Sequence, residues 1–224
     1  MKLAKLILAS SLVASCACAE GVFVGVVGGY DYTYNITVNG YDAEIDGKNP
    51  VIGIKGGYDF GAFRAYGQYN YKIKSTYDES SFQGYEEKTE ISAHEFLIGA
   101  DWTPSLNENL KLAVGPYLGY SRLDIKDKGV WVTNSASGGL AVTEPYDDKY
   151  SENGFLLGAK LGIIYDLGVG EFEAGIKTDY AWHTGNDGTD DLDIDTGTVG
   201  GYIGYNFKFC PFHIACIYKI FCEF

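Results

Sequence analysis

The sequence predicts an all-β fold, namely an eight-stranded antiparallel up-and-down transmembrane β-barrel. Three observations predict it. Apolar and polar residues alternate with a period of two in eight separate runs, the links between these runs are alternately short and long, and one face of the runs carries most of the aromatic rings. A chain of 224 residues that is 46% hydrophobic is long and apolar enough to form one such domain.

The eight runs cover residues 21–34, 52–60, 63–74, 91–102, 110–122, 153–167, 171–183 and 198–209. In the clearest run, Phe63, Tyr69 and Tyr71 fall on one face, while Arg64 and Lys72 fall on the other. Such alternation is typical of strands whose two faces meet different surroundings. No apolar run approaches the roughly 20 residues of a membrane-spanning helix, which excludes a helical membrane protein.

The links between the runs predict how the barrel is oriented. Short links lie at 61–62, 103–109 and 168–170, whereas the links 35–50, 75–90, 123–152 and 184–197 are long. Transmembrane barrels have short periplasmic turns and long outer loops, and an even number of strands returns both termini to the periplasm.

The volume of the aromatic rings decides which face points outward. The apolar face carries nineteen Tyr, Phe and Trp residues, which is more than the interior of an eight-stranded barrel can hold. The polar face is rich in glycine and leaves room for charged side chains. The apolar face is therefore predicted to meet lipid. Its rings form two groups, near the outer and inner ends of the strands, as the two bilayer interfaces select.

The last predicted strand, 201–209, alternates Tyr205, Phe207 and Phe209 with small or polar residues. With the other seven runs and the long loops, it resembles the small outer-membrane barrels of Gram-negative bacteria, of the OmpA transmembrane-domain and OmpX type. The resemblance implies an outer-membrane location with extracellular loops and periplasmic termini. It also implies contact with lipid and lipopolysaccharide, and recognition of Tyr205, Phe207 and Phe209 by the barrel-assembly machinery.

The two ends of the chain lie outside the predicted barrel, which spans residues 20–209. Residues 1–19 combine an early positive charge, a short apolar run and a small-residue site at 17–19, which predicts a secretory signal peptide. Lipidation at Cys16 is the alternative. Residues 210–224 form a C-terminal tail of unknown role that contains three of the five cysteines.

The polar faces predict a lumen filled with charged groups. Fifteen ionisable residues are expected to point inward: Asp31, Lys55, Asp59, Arg64, Lys72, Glu95, Asp101, Lys111, Lys160, Asp166, Glu171, Glu173, Lys177, Asp179 and Lys208. Both signs are interleaved, and unpaired buried charge costs several kcal/mol, so we expect these groups to pair. A lumen filled in this way argues against a wide pore.

The function that follows is a structural or surface-interaction role, in adhesion, host contact or envelope integrity, without catalysis or a cofactor. The alternatives are a conduit for small solutes or hydrophobic compounds, and a rim enzyme acting on lipid or peptide. His183, expected inward near Asp179 and Asp187, is the candidate general base, but no nucleophile stands at a recognisable spacing. His94 is expected to be a lipid-interface residue.

Two of the long loops carry further signals. Residues 185–193 resemble one calcium-binding nonapeptide, which makes Asp187, Asp190 and Asp193 a weak calcium site or, as we favour for a lone repeat, a solvated acidic turn. In the loop 123–152, apolar stretches at 130–132 and 140–142 form either an exposed contact site or, as we favour, a hairpin that continues two strands.

The charge of the chain is concentrated in the four long loops. The formal net charge is −13, and removal of residues 1–19 would make it −15, of which the loops hold −14. An acidic chain of this kind is not a nucleic-acid binder, because phosphate binding needs clustered Lys and Arg. The sequence therefore predicts a nearly neutral barrel beneath acidic loops.

Overall fold

The computed structural model describes residues 20–38, 41–43, 47–81, 85–133, 142–184 and 193–209. Nine strands lie in these ranges: β1 (Gly21–Val38), β2 (Tyr41–Ala43), β3 (Gly47–Asp59), β4 (Phe63–Ser81), β5 (Tyr85–Trp102), β6 (Leu110–Thr133), β7 (Val142–Asp166), β8 (Gly170–Thr184) and β9 (Asp193–Phe209). Within the same ranges, no helix has the length and apolar character that crossing a membrane requires.

Eight of these strands form a closed ring in which every pair is antiparallel. Each long strand pairs with its neighbour in the chain, and β1 also pairs with β9, so the ring of eight strands is closed. The short β2 pairs with the far end of β1 and extends the β1–β3 hairpin. The predicted eight-stranded up-and-down barrel is therefore confirmed.

The stagger of the strands sets the width of the barrel. Following directly paired residues once around the ring from Val26 leads back to β1 at Thr37, eleven residues further along. A bulge between Thr33 and Asn35 supplies one of these residues. Eight strands staggered in this way are steeply tilted and enclose a space that side chains can fill.

The two ends of the barrel differ in their connections. At the turn end, the links are residues 60–62, 103–109 and 167–169, close to the prediction. At the opposite end, here called the loop end, the predicted loops are too long. β4 and β5 pair out to Ser81 and Tyr85, and β6 and β7 pair out to Thr133 and Val142. Alternation fades in these extensions because, above the apolar band, neither face needs to be apolar.

The two remaining loop predictions are shortened as well. β1 continues to residue 38 and β3 begins at 47, while β8 ends at 184 and β9 begins at 193. The hairpin interpretation of 123–152 is correct for its two arms, 123–133 and 142–152, which pair along their whole length. Residues 140 and 141 lie outside the described part of the chain.

The exterior of the barrel is apolar. Side chains pointing away from the lumen include Val26, Ile54, Ile98, Leu161 and Ile203, which are 47–62% exposed. Burial is thus inverted relative to a water-soluble barrel, because the large aliphatic side chains are outside while Asp, Glu, Lys and Arg are inside. Such a surface is stable only against lipid, so the fold is that of a membrane-spanning barrel.

Aromatic rings border this aliphatic band at both ends. Toward the loop end, Tyr69, Phe96, Tyr120, Phe155 and Trp182 are directly paired on five successive strands. Toward the turn end lie the paired rings Phe63–Trp102 and Tyr165–Phe172–Tyr205. Two such girdles match the two interfaces of a bilayer, where aromatic rings are favoured.

Candidate functional site: the charged lumen and the cavity above it

The lumen contains all fifteen ionisable residues singled out in the sequence. Twelve of them are buried, and Lys111, Asp166 and Lys177 are partly exposed. Each makes at least one ion pair with another member of the set. The strand tilt and the alternation of side chains divide them into three layers, which we call the lower, middle and upper layers, starting from the turn end.

The lower layer contains three cations and three carboxylates, namely Arg64, Lys111, Lys208, Asp59, Asp166 and Glu171. Arg64 lies between Asp59, at 2.9 Å from Nη2, and Glu171, to which it also donates. Lys208 Nζ lies 2.6 Å from Glu171 and 2.8 Å from Asp166. Arg64 also lies over the ring of Phe23, 5.2 Å from its centroid. This layer is electrically balanced and closes the turn end of the lumen.

The middle layer contains two cations and two carboxylates. Lys55 Nζ lies 2.5 Å from Glu173. Lys160 Nζ lies 2.8 Å from Asp101 and 3.1 Å from Glu173, and it lies 4.3 Å from the centroid of the Tyr66 ring. This layer is also balanced, as a buried ionic network must be to offset its desolvation.

The upper layer contains two cations and three carboxylates. Lys72 Nζ lies 2.6 Å from Glu95 and 3.3 Å from Asp31. Lys177 Nζ lies 2.9 Å from Asp31 and 3.9 Å from Asp179. Neutral side chains also donate hydrogen bonds to these carboxylates, and Thr198, which donates to Asp179, is one example. The ion pairs of this layer therefore leave it with one negative charge in excess.

Three inward tyrosines fill the space between the layers, and the sequence analysis did not assign them. Each inward ring lies beside a glycine on a neighbouring strand: Tyr66 beside Gly99, Tyr117 beside Gly158 and Tyr202 beside Gly175. A Cβ added at Gly158 would lie 2.4 Å from the Tyr117 ring, and one at Gly99 would lie 2.5 Å from Tyr66. The signal in the sequence that could have identified them is a tyrosine at an alternate position of a polar, glycine-rich face.

These rings and ion pairs leave little free space in the middle of the barrel. The void between the middle and upper layers, lined by Lys55, Tyr66 and Tyr117 among others, measures about 30 Å³. Such a void holds a few water molecules at most. The lumen is therefore packed at this height and is not an open channel.

A larger cavity of about 260 Å³ lies between the upper layer and the loop end. Lys72 and Glu95 of the upper layer form its floor. Its lining surface is mostly apolar: aliphatic side chains come from Ile91, Ala93, Leu123, Ile125, Ala181 and Ile194, and most of the polar wall residues are threonine or serine. Its polar lining includes Ser121 and His183. Apolar walls with a few convergent polar groups are typical of small-molecule sites.

His183 and Ser121 form the main polar contact in the wall of this cavity. His183 Nε2 lies 3.0 Å from Ser121 Oγ, and its Nδ1 lies 3.2 Å from the carbonyl oxygen of Ile194. A carbonyl only accepts, so Nδ1 carries a proton, and in the neutral ring Nε2 accepts from the Ser121 hydroxyl. Sequence reasoning placed His183 near Asp179, but these contacts are to a serine and to the backbone instead. Asp187 lies outside the described residues.

Ser121 and His183 therefore contain two of the three parts of a nucleophilic site. The third group, which orients the histidine, is a neutral carbonyl, and a carboxylate that would stabilise an imidazolium does not contact Nδ1 in the described residues. The backbone amides around Ser121 belong to the β6–β7 and β5–β6 ladders and are not grouped as an oxyanion hole. The pair is better suited to binding than to acyl transfer.

The outer surface at the loop end carries separate, exposed ion pairs. Lys74 donates to Glu90, and this hydrogen bond holds the pKa of Glu90 below its usual value. His94, expected at a lipid interface, does face outward, where Tyr69 Oη lies 2.7 Å from its Nδ1. Its Nε2 lies 3.8 Å from Asp124. These contacts join strands β4, β5 and β6 just above the aromatic girdle.

Several predicted residues remain outside this site. Phe207 is 46% exposed on the outer face of β9, and Tyr205 lies against it with ring centroids 4.8 Å apart. Of the predicted calcium ligands, Asp187 and Asp190 lie outside the described residues, and only the backbone of Asp193 is described. Residues 1–19 and 210–224 also lie outside them. In the described ranges, no group of three or more His, Cys, Asp or Glu is arranged to hold a metal ion.

Several solved structures are similar to this chain. The attachment invasion locus protein Ail of Yersinia pestis, in complex with the heparin analogue sucrose octasulfate, matches at 18% identity and a TM-score of 0.45, over 84% of this chain and 99% of that one. Neisserial surface protein A matches at 16% identity and 0.45, over 84% and 97%. A major outer membrane protein from Thermus thermophilus matches at 10% identity and 0.45, over 84% and 99%.

No family model matches this sequence, and no curated protein matches it either. Its fold is established by the strand pairing described above.

Proposed function

We propose that this chain is an outer-membrane barrel with a closed lumen, which acts through surface contact at its loop end and through the stability it lends to the envelope, without catalysis. The observation that carries the proposal is the contrast between the two ends. Three layers of ion pairs fill the lumen, whereas the loop end extends far beyond the aromatic girdle.

The β6–β7 hairpin shows how far the loop end extends beyond the aromatic girdle. β6 continues for thirteen residues beyond Tyr120, which belongs to the girdle, and ends at Thr133. At about 3.3 Å per residue, that is roughly 40 Å of strand. A barrel that only had to span the membrane would not need this length. A projecting, regular hairpin is a surface that another molecule can meet edge-on or face-on.

A conduit is the less favoured candidate. The lower layer blocks the turn end, and the free space between the middle and upper layers measures only about 30 Å³. We expect the protein to show no stable large openings in planar lipid bilayers. Openings in the wild type that disappear after heat denaturation would contradict the closed lumen.

The partners of the proposed function follow from its location. The acidic loop end would approach lipopolysaccharide phosphates chiefly through divalent cations. The assembly machinery would read Tyr205, Phe207 and Phe209 on the last strand. Phe207→Ala should lower the folded, heat-modifiable fraction in membranes, while the control Phe172→Ala, whose ring is similarly exposed (42%) at the same end, should not. Equal losses would remove the special role of β9.

The surface role is tested by shortening one hairpin and keeping the barrel. Lys126 and Lys149 are directly paired, so residues 127–148 can be replaced by an Asn-Gly turn. The matched control shortens β4–β5 above the pair Thr76–Glu90. Cells with the β6–β7 trim should lose at least tenfold in attachment to host cells or matrix and keep wild-type detergent resistance. Unchanged attachment would overturn the surface role of this hairpin.

A further inference from the structure

We propose that the cavity above the upper layer binds a small organic cation, namely a primary amine with an apolar body of one or two rings. The inference goes beyond the proposed surface role and does not depend on it. Two independent observations carry it: the charge of the upper layer, and the shape and lining of the cavity directly above that layer.

The first observation is that the upper layer is one cation short. The lower layer has three cations for three carboxylates, and the middle layer has two for two. In the upper layer, Lys72 and Lys177 are the only cations among the described residues that pair with Asp31, Glu95 and Asp179. An uncompensated buried charge is costly, so a further cation near this layer is favoured.

The second observation is the space that such a cation could occupy. The cavity measures about 260 Å³ and is floored by Lys72 and Glu95 of the upper layer. An apolar cavity of about 150 Å³ holds benzene, so this one has room for a body of one to two rings. A bare metal ion does not fit the lining, because Glu95 is the only carboxylate among the described lining residues and it is already paired with Lys72.

The remaining polar groups of the cavity agree with an amine. When the Ser121 hydroxyl donates to Nε2 of a neutral His183, the lone pairs of Ser121 Oγ are left to accept from an ammonium group. A carboxylate ligand would be repelled by the excess negative charge of the upper layer, and a neutral ligand would gain nothing from that charge.

The test uses the full chain refolded into phosphatidylcholine vesicles, with calorimetric titration of three ligands of nearly the same size. These are 2-phenylethylamine, the neutral 2-phenylethanol and the anion phenylacetate. The amine should bind at least tenfold more tightly than the alcohol, and phenylacetate should give no heat. Equal affinities for the amine and the alcohol would mean that a proton on one carboxylate already balances the layer, and would overturn the proposal.

Two variants locate the site. Ala181→Leu fills the cavity from its wall, where Ala181 is 3% exposed, and should abolish amine binding, while the matched control Ala159→Leu on the lipid face should not. Glu95→Gln keeps the cavity and removes the excess charge, so the preference for amine over alcohol should fall below threefold with the alcohol affinity unchanged. If Ala181→Leu does not fold, Glu95→Gln still decides. Unaltered amine preference in Glu95→Gln would overturn the proposal.

Discussion

Lys72 Nζ on β4 lies 2.6 Å from Glu95 Oε1 on β5, and this ion pair separates the packed lumen from the open cavity above it. Below the pair, every cation pairs with at least one carboxylate, and Arg64, Lys160 and Lys208 each pair with two. Above it, the lumen is lined by aliphatic side chains and hydroxyls. The interior of the barrel therefore has two parts. The ionic part determines stability, and the apolar part is available to a ligand.

The ionic interior predicts a large cost for removing a single partner. Lys160→Met leaves Asp101 buried without the ammonium group that lies 2.8 Å away. Because the remaining charge is uncompensated, the free energy of unfolding should fall by about 3 kcal/mol. Urea unfolding in lipid vesicles measures it. Lys74→Met removes only an exposed pair with Glu90, so it should cost less than about 1 kcal/mol. If both variants lower the unfolding free energy equally, the buried ion pairs do not stabilise the barrel more than the exposed pair does.

The pairing of inward tyrosine with glycine predicts a sharp contrast between two glycine substitutions. Gly158→Ala places a Cβ 2.4 Å from the Tyr117 ring, whose hydroxyl donates to Asp179 at 2.9 Å. Displacing this ring in a packed lumen should cost about 1–3 kcal/mol of unfolding free energy. Gly28→Ala, with no atom within 4 Å of the new Cβ, is the matched control and should be neutral or slightly stabilising. If Gly158→Ala leaves the unfolding free energy unchanged, the Tyr117 ring does not need the space that Gly158 leaves beside it.

The apolar exterior predicts where a charge is tolerated. Ile98→Lys, at a side chain 62% exposed in the middle of the aliphatic band, should lower the unfolding free energy by about 2–4 kcal/mol in a bilayer. Leu106, 57% exposed, lies in the link 103–109 at the turn end, so Leu106→Lys should cost about 1 kcal/mol or less. Similar values for both would contradict the placement of the bilayer.

The histidine–serine contact predicts an absence of hydrolase chemistry. With a backbone carbonyl at Nδ1 of His183, Ser121 should not be activated, and a fluorophosphonate probe should label it no more than background. Mass spectrometry of the Ser121 peptide, beside a soluble serine hydrolase as positive control, measures the labelling. Labelling of Ser121 that disappears in His183→Ala would instead favour the rim enzyme.

The membrane-embedded part of the fold was predictable because each side chain there has one of only two surroundings. Each residue from 63 to 74 faces either lipid or lumen, so the pattern has period two and the strand is visible. The same strand continues to Ser81, but the alternation disappears beyond residue 74, which is why the predicted loop 75–90 is largely strand. The sequence therefore revealed the barrel and underestimated its hairpins.

The candidate site was predictable in its members and not in its geometry. Inward charges such as Arg64 and Glu171 follow from alternation alone, although they are 107 residues apart in the chain and meet only across the lumen. Ser121 was missed, since its contact with His183 joins β6 to β8 across 62 residues. No spacing in a sequence encodes such a contact.

The sequence by itself determined the strand number, the face that meets lipid and the set of charges inside, because each depends only on side-chain type at alternate positions. The tertiary structure decided how those charges divide. Strand tilt and stagger bring Arg64 into a balanced layer, and Lys72 into one with three carboxylates and two cations. Ion pairing acts over about 4 Å, and only the closed barrel determines which residues come that near.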